Sequence, residues 1–183
     1  MKNVSMLMVV CALGCSSSED TGTPAAGQTL PDCGGNWPAE WVAKEQAVRD
    51  QFNALRAQTG TCGSKVFAPA QPVVEDPVLT LISRCFARDQ ALAGSNALQG
   101  SAADTALADR VQAAKYPGTL TGYAGDLTAA TPEEIIAGFL ANQAQCEALW
   151  DPTTTVGSVG YVAYPQGNVP QLWAGITAAK ASN

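Results

Sequence analysis

Four cysteines, Cys33, Cys62, Cys85 and Cys146, are spread across the region able to form a domain, and they constrain its fold more than any other feature. The chain opens with one basic residue, Lys2, an apolar run from Val4 to Leu13 and small Gly14, which is the layout of a secretory signal. An exported chain enters an oxidising compartment, where an even number of cysteines reads as a disulfide framework. Two bonds are therefore expected. Four cysteines allow three pairings, and the sequence leaves the choice open. None of the four stands in a C-x-x-C string, so they do not read as a zinc site.

The apolar run is too short to span a bilayer, which takes roughly 20 residues. The string Ala12-Leu13-Gly14-Cys15 resembles a bacterial lipoprotein signal, in which small residues precede a cysteine that is diacylated and becomes the new N-terminus. Ala12 stands where such signals usually carry leucine. The resemblance implies a lipid on Cys15, contact with a membrane through that lipid, and a place in the cell envelope, at the outer membrane if the cell has one. The alternative is an ordinary cleaved signal and a secreted soluble protein. Residues Ser16 to Gln28 carry too little apolar surface to repay the entropy of ordering them. The expected organisation is a signal peptide over residues 1–14, a lipidated cysteine and flexible tether over 15–35, and one folded domain over 36–183.

No segment of that domain is long and apolar enough to cross a membrane. Of the ten basic residues, loss of Lys2 leaves nine against sixteen acids, a net charge near −7. Such acidity argues against nucleic acid or an anionic lipid surface as partner. The chain contains no histidine. That absence removes Ser-His-Asp and Cys-His devices, most zinc and iron sites, and the usual near-neutral general base. Lys44, Lys65, Lys115 and Lys180 stand in no Ser-x-x-Lys string, which leaves a hydrolase little to work with. No catalytic residue, metal or cofactor is assigned.

Trp41, Val48, Phe52 and Leu55 recur at helical spacing and predict a helix from about Ala39 to Gln58, closed by Gly60, with Glu45, Arg49, Asp50 and Arg56 on its wet side. A loop with Cys62, Gly63, Pro69 and Pro72 follows, and Asp76-Pro77 starts a second helix whose inner face is Leu79, Ile82 and Phe86. Gly94 to Asp104 reads as loop, before a short helix carrying Leu107, Val111 and Ala114 that ends at Tyr116-Pro117-Gly118. Thr131-Pro132-Glu133-Glu134 is a capping box opening a helix to about Leu149, which buries Ile135, Ile136, Phe139, Leu140 and Cys146. Glu147 and Asp151 read as its solvated end. The segments Val156–Tyr164 and Val169–Thr177 form a hairpin joined by Pro165-Gln166-Gly167-Asn168. Helices first and paired strands last predict an α+β fold. At helix and strand spacing, Trp37, Trp41, Trp150 and Trp173 read as core and rim packing.

Several strings, in this order, resemble the CAP superfamily, also called SCP-like, which includes cysteine-rich secretory proteins and plant pathogenesis-related proteins. They are Phe52-Asn53-Ala54-Leu55-Arg56, Asp76-Pro77-Val78-Leu79 leading to Arg84 and Asp89, and Arg110 to Tyr116. Thr131-Pro132-Glu133-Glu134 to Leu140, Asp151-Pro152 and Val159-Gly160-Tyr161 complete the set, which covers roughly Glu40 to Ile176. The resemblance implies a three-layer α-β-α sandwich, with a small antiparallel sheet and its C-terminal hairpin between helices. It also implies a cavity that in the family typically holds two histidines and one or two glutamates, a set that binds a divalent metal in some members.

In this chain those positions fall on Tyr123 for the Gly-Glu-Asn glutamate, Asn142 for a second glutamate, and Gln145 for a histidine, with Ala148 in place of the asparagine that follows it. The loop histidine falls near Asn96 to Leu98, and a further one in the second helix falls on Phe86. The resemblance thus implies a site whose metal-binding groups have been replaced. The family's association with sterol and lipid binding implies a residual pocket for a small ligand lined by Tyr123 and Gln145; the alternative, expected here, is a pocket filled by a packed, internally hydrogen-bonded Tyr123. It further implies that Cys62 pairs with Cys146, leaving Cys33 for Cys85. The function expected is a non-catalytic CAP-like domain of a lipoprotein, binding a protein, glycan or lipid at the envelope. The alternatives are a hydrolase with a site foreign to the family, and a structural relative with no ligand.

Overall fold

The computed structural model of the chain describes residues 30–94, 97–127, 129–164 and 170–181. The segment expected as signal peptide, residues 1–14, together with Cys15 and the greater part of the expected tether, lies outside these residues, as do Asn96 and the expected hairpin turn. The last tether residues do not: Leu30 is buried in the core and Cys33 is bonded to Cys85, so the packed domain reaches back to Leu30. Among the described residues the fold is α+β, with five helices and two small antiparallel sheets.

Helix α1 spans Ala39–Arg56 and buries Trp41, Val48 and Phe52. It also buries Glu45, Arg49 and Arg56, against the expectation of a wet face. These three lie at helical spacing from Trp41 and Phe52, so geometry turns them inward and each finds polar partners there. Residues expected as loop after α1 contain a short hairpin, β1 (Gly60–Cys62) and β2 (Lys65–Phe67), turning at Gly63 with a φ of 58°. Helix α2 spans Pro77–Ala93 and starts as predicted, with Asp76 Oδ1 accepting from the N–H groups of Val78 (2.9 Å) and Leu79 (3.1 Å).

Helix α3 runs Ser101–Ala113, so the predicted loop gives way to helix earlier than the sequence suggested. Its buried stripe begins at Ala103, a residue too small to mark a hydrophobic period, and continues through Leu107 and Val111. The predicted helix from Thr131 is two helices, α4 (Pro132–Ala141) and α5 (Gln143–Trp150). Between them Asn142 is extended, with ψ 119°, and its side chain caps α5 by accepting from Ala144 N–H and Gln145 N–H. Leu140, expected inside, sits in the last turn of α4 at the edge of its stripe and is exposed. Thr131 Oγ1 accepts from Glu134 N–H, while Glu134 Oε2 reaches back to Ala130 N–H.

The main sheet has the order β3-β5-β4, from β3 (Thr119–Leu127), β4 (Val156–Ala163) and β5 (Gln171–Ala179). The C-terminal hairpin is present: β4 starts at Val156 as expected and ends one residue earlier, β5 lies two residues later than expected, and β5 is the central strand. Helices pack on both faces of the sheet. On one, Ser83 of α2 hydrogen-bonds Ser158 of β4 (3.2 Å), and α2 comes so close that a Cβ on Gly160 would lie 2.4 Å from Arg84 N. On the other, Trp41 of α1 meets the Tyr161 ring edge-on at 6.0 Å, and Phe139 of α4 covers Gly175. Helices α3 and α5 flank β3, against Gly125 and Gly122.

The disulfides are Cys33–Cys85 and Cys62–Cys146, the pairing that the resemblance implies. The four tryptophans pack in or against the core, three of them buried. Each outer strand has an outward backbone N–H taken by a helix carboxylate. Tyr161 N–H of β4 donates to Glu45 (3.0 Å), and Gly125 N–H of β3 donates to Asp104 (2.9 Å).

Candidate functional site

Strand β3 passes between the first turns of α3 and α5, and the space beside it is a surface cleft of about 260 Å³. Its lining brings together Tyr123, Asn142 and Gln145, three of the positions assigned to the family cavity, with Asp104, Thr121, Gly122 and Ala144. The other two lie elsewhere. Phe86 is core, 1% exposed, with the Arg110 guanidinium 5.0 Å above its ring. Leu98 is exposed, and its backbone pairs with the Gln90 side chain. Tyr123 does not fill the pocket as expected. It projects from an edge strand that no further strand covers and is 36% exposed, leaving the cleft open.

The floor of the cleft is fixed by a relay of hydroxyls. Thr154 donates to Thr121 (2.6 Å), Thr121 to Thr177 (3.2 Å), and Thr177 Oγ1 also approaches the Gly122 carbonyl (3.3 Å). Asn142 is held by its capping role, and Asp104 by the Gly125 N–H. Among the described residues, neither the Tyr123 hydroxyl nor the Gln145 side-chain amide has a hydrogen-bond partner. Two fixed rims and two unengaged polar tips suit a ligand-binding surface.

A second polar cluster centres on Glu45, 2% exposed, whose carboxylate accepts from Trp37 Nε1 (2.9 Å), Arg84 Nε and Tyr161 N–H. Burial pushes its carboxyl above the usual glutamate range, against the opposing pull of Arg84, the Tyr161 N–H and Trp37. All its oxygens face structural partners. Ser83 and Ser158 are buried and bonded to each other, which ties down the hydroxyls nearest the sheet centre. Glu147 is held below the usual range first by Lys65 and then by Gln143, which identifies it with a surface ion pair. Asp151 turns its carboxylate onto Thr153, so it does not face Glu147 as a partner. Among the described residues no group of three or more acidic or cysteine side chains is arranged to hold a metal ion.

The sequence reading missed Asp104 and Thr121 as cleft residues. Asp104 lay in a segment read as loop, and Thr121 precedes the matched motif on an unpredicted strand; the alternation of Thr119, Thr121 and Tyr123 was the available signal. No family model matches the chain, and no curated protein is significantly similar to it.

Proposed function

We propose that this chain is a binding domain of CAP-like type, exported and held at the cell envelope by a lipid on Cys15, that works through the cleft beside β3 without catalysing a reaction. The observation that carries the proposal is the convergence of Tyr123, Asn142 and Gln145. The resemblance assigns them to one cavity although Tyr123 lies nineteen residues before the Asn142–Gln145 turn, and they line one cleft. Helices on both sheet faces agree with a three-layer α-β-α sandwich, and the two disulfides agree with an extracellular location. A chain without histidine, whose buried serines bond each other, favours recognition over chemistry.

Mass spectrometry of the native N-terminus tests the anchor, with a diacylated Cys15 as the expected first residue; an unmodified peptide starting after Gly14 rejects it. Retention on purified cell-envelope material of the full chain carrying Cys15→Ser, which cannot be acylated, tests the cleft apart from the anchor. Tyr123→Ala is expected to weaken retention, and retention equal to that of the parent protein rejects the cleft as the binding site.

A further inference from the structure

The groups lining the cleft narrow the class of ligand, and this step rests on the reading of the cleft as a binding site. Among the described residues no lysine or arginine lines it. Two of the N–H groups at the start of α5 that could hold an anion, those of Ala144 and Gln145, are taken by Asn142 Oδ1, and Asp104 adds negative charge at the opposite rim. Phosphates and carboxylates are thus disfavoured.

A peptide strand added along β3 is disfavoured as well. Gly125 N–H is already bonded to Asp104, and α3 sits against the strand there, with Ala103 O 2.6 Å from where a Cβ on Gly125 would lie. Register shifts between Leu120 and Gly122 and between Ala124 and Leu127 break the regular ladder that an added strand would need. The cleft is also too polar for an acyl chain, since Asp104, Thr121, Asn142 and Gln145 all line it.

A neutral ring bearing several hydroxyls meets these conditions. Each hydroxyl is both donor and acceptor, and so are the Gln145 amide and the Tyr123 phenol; Asn142, whose oxygen is used in capping, keeps its NH₂ as donor. The exposed Tyr123 ring offers an apolar face with a polar tip, suited to the C–H face of such a ring. We propose that the cleft binds one neutral sugar ring of an oligosaccharide, stacked on Tyr123 and hydrogen-bonded by Gln145 and Asn142.

The test titrates the full chain by calorimetry with three neutral oligosaccharides, chitotetraose, cellotetraose and maltotetraose, with inorganic phosphate and tetra-alanine alongside. Saturable binding of at least one saccharide is expected, unchanged by added salt because no ion pair forms. Affinity should fall at least about tenfold in Tyr123→Ala, fall less in Gln145→Ala, and be largely kept in Tyr123→Phe. Unchanged melting temperatures show that these surface variants fold. Binding of none of the three, saccharide binding indifferent to Tyr123→Ala, or phosphate or peptide binding that Tyr123→Ala abolishes would each overturn the sugar assignment. The envelope-retention experiment separates the two failures: retention lost in Tyr123→Ala leaves the cleft standing without the sugar, and retention kept removes both.

Discussion

Arg56 is fully enclosed, and its guanidinium donates only to backbone carbonyls. Its Nε reaches Gln71 O (2.7 Å), and its two NH₂ groups reach Leu149, Asp151 and Thr154. One side chain thereby fixes the loop before α2, the end of α5 and the turn into β4. Arg56→Met leaves these carbonyls unpaired, and since each buried orphan costs about 1–3 kcal/mol, a loss of at least about 3 kcal/mol is expected in urea denaturation. Arg56→Lys should recover only part of it, because one ammonium cannot span three segments. Tyr116 offers a residue-scale test against pH. Its hydroxyl donates to Asp76 Oδ2 (3.1 Å), and burial, followed by the Asp76 charge, pushes the phenol up to about 12 from an ordinary value of 10.0. The folded state holds this proton where the unfolded chain has released it. Its contribution is therefore complete below pH 10 and is lost as pH rises from about 10 to about 12. Denaturation profiles of Tyr116→Phe should lack that alkaline decline, and an unchanged decline would show that another group causes it.

At the scale of elements, two glycines predict opposite outcomes for one substitution. Gly160 faces the backbone of Ser83 and Arg84, which cannot swing aside, so Gly160→Ala must push α2 off the sheet; a cost of about 3 kcal/mol is expected, at the top of the range for overpacking. Gly138 lies within α4 with open space around it, and Gly138→Ala should stabilise by about 0.5–1 kcal/mol through helix propensity. Thermal unfolding of the pair reads both signs. What the sequence revealed follows the same division. Caps at Asp76 and Thr131 were legible because a local hydrogen bond needs only local residues. The phase of α1 was legible from Trp41, Val48 and Phe52, but Glu45 and Arg56 were put outside on the strength of their charge, although their spacing put them inside. Strand β3 was hard to read: beyond the alternation of Thr119, Thr121 and Tyr123, Thr-Leu-Thr-Gly-Tyr-Ala-Gly-Asp-Leu has small residues where helices come close, and the register shifts interrupt its ladder. The cleft was half legible, since Tyr123, Asn142 and Gln145 stand out in the sequence, while Thr121 depends on β3 being seen and Asp104 on α3 starting at Ser101.

Across the whole molecule the two disulfides interlock: Cys62 lies between Cys33 and Cys85, and Cys85 lies between Cys62 and Cys146. Loops of 52 and 84 residues differ little in the logarithm, so removing either bond should cost a similar amount, about 4 kcal/mol, in equilibrium denaturation of the paired Cys→Ala variants. A clear disparity would mean that one bond acts through native packing instead of the unfolded chain. The interlock also determines how the protein carries tension. A pull between the two chain ends enters at Cys33, crosses to Cys85 in the middle of α2, follows the backbone back to Cys62 and crosses again to Cys146. That is the shortest covalent route, so once it is taut, α1 and the span from Phe86 to Gln145, with the whole of α3 and α4, lie off the line of force. A domain anchored at its N-terminus as proposed, and dragged by whatever it holds, could be unfolded, yet it could be drawn out to less than half of its contour length.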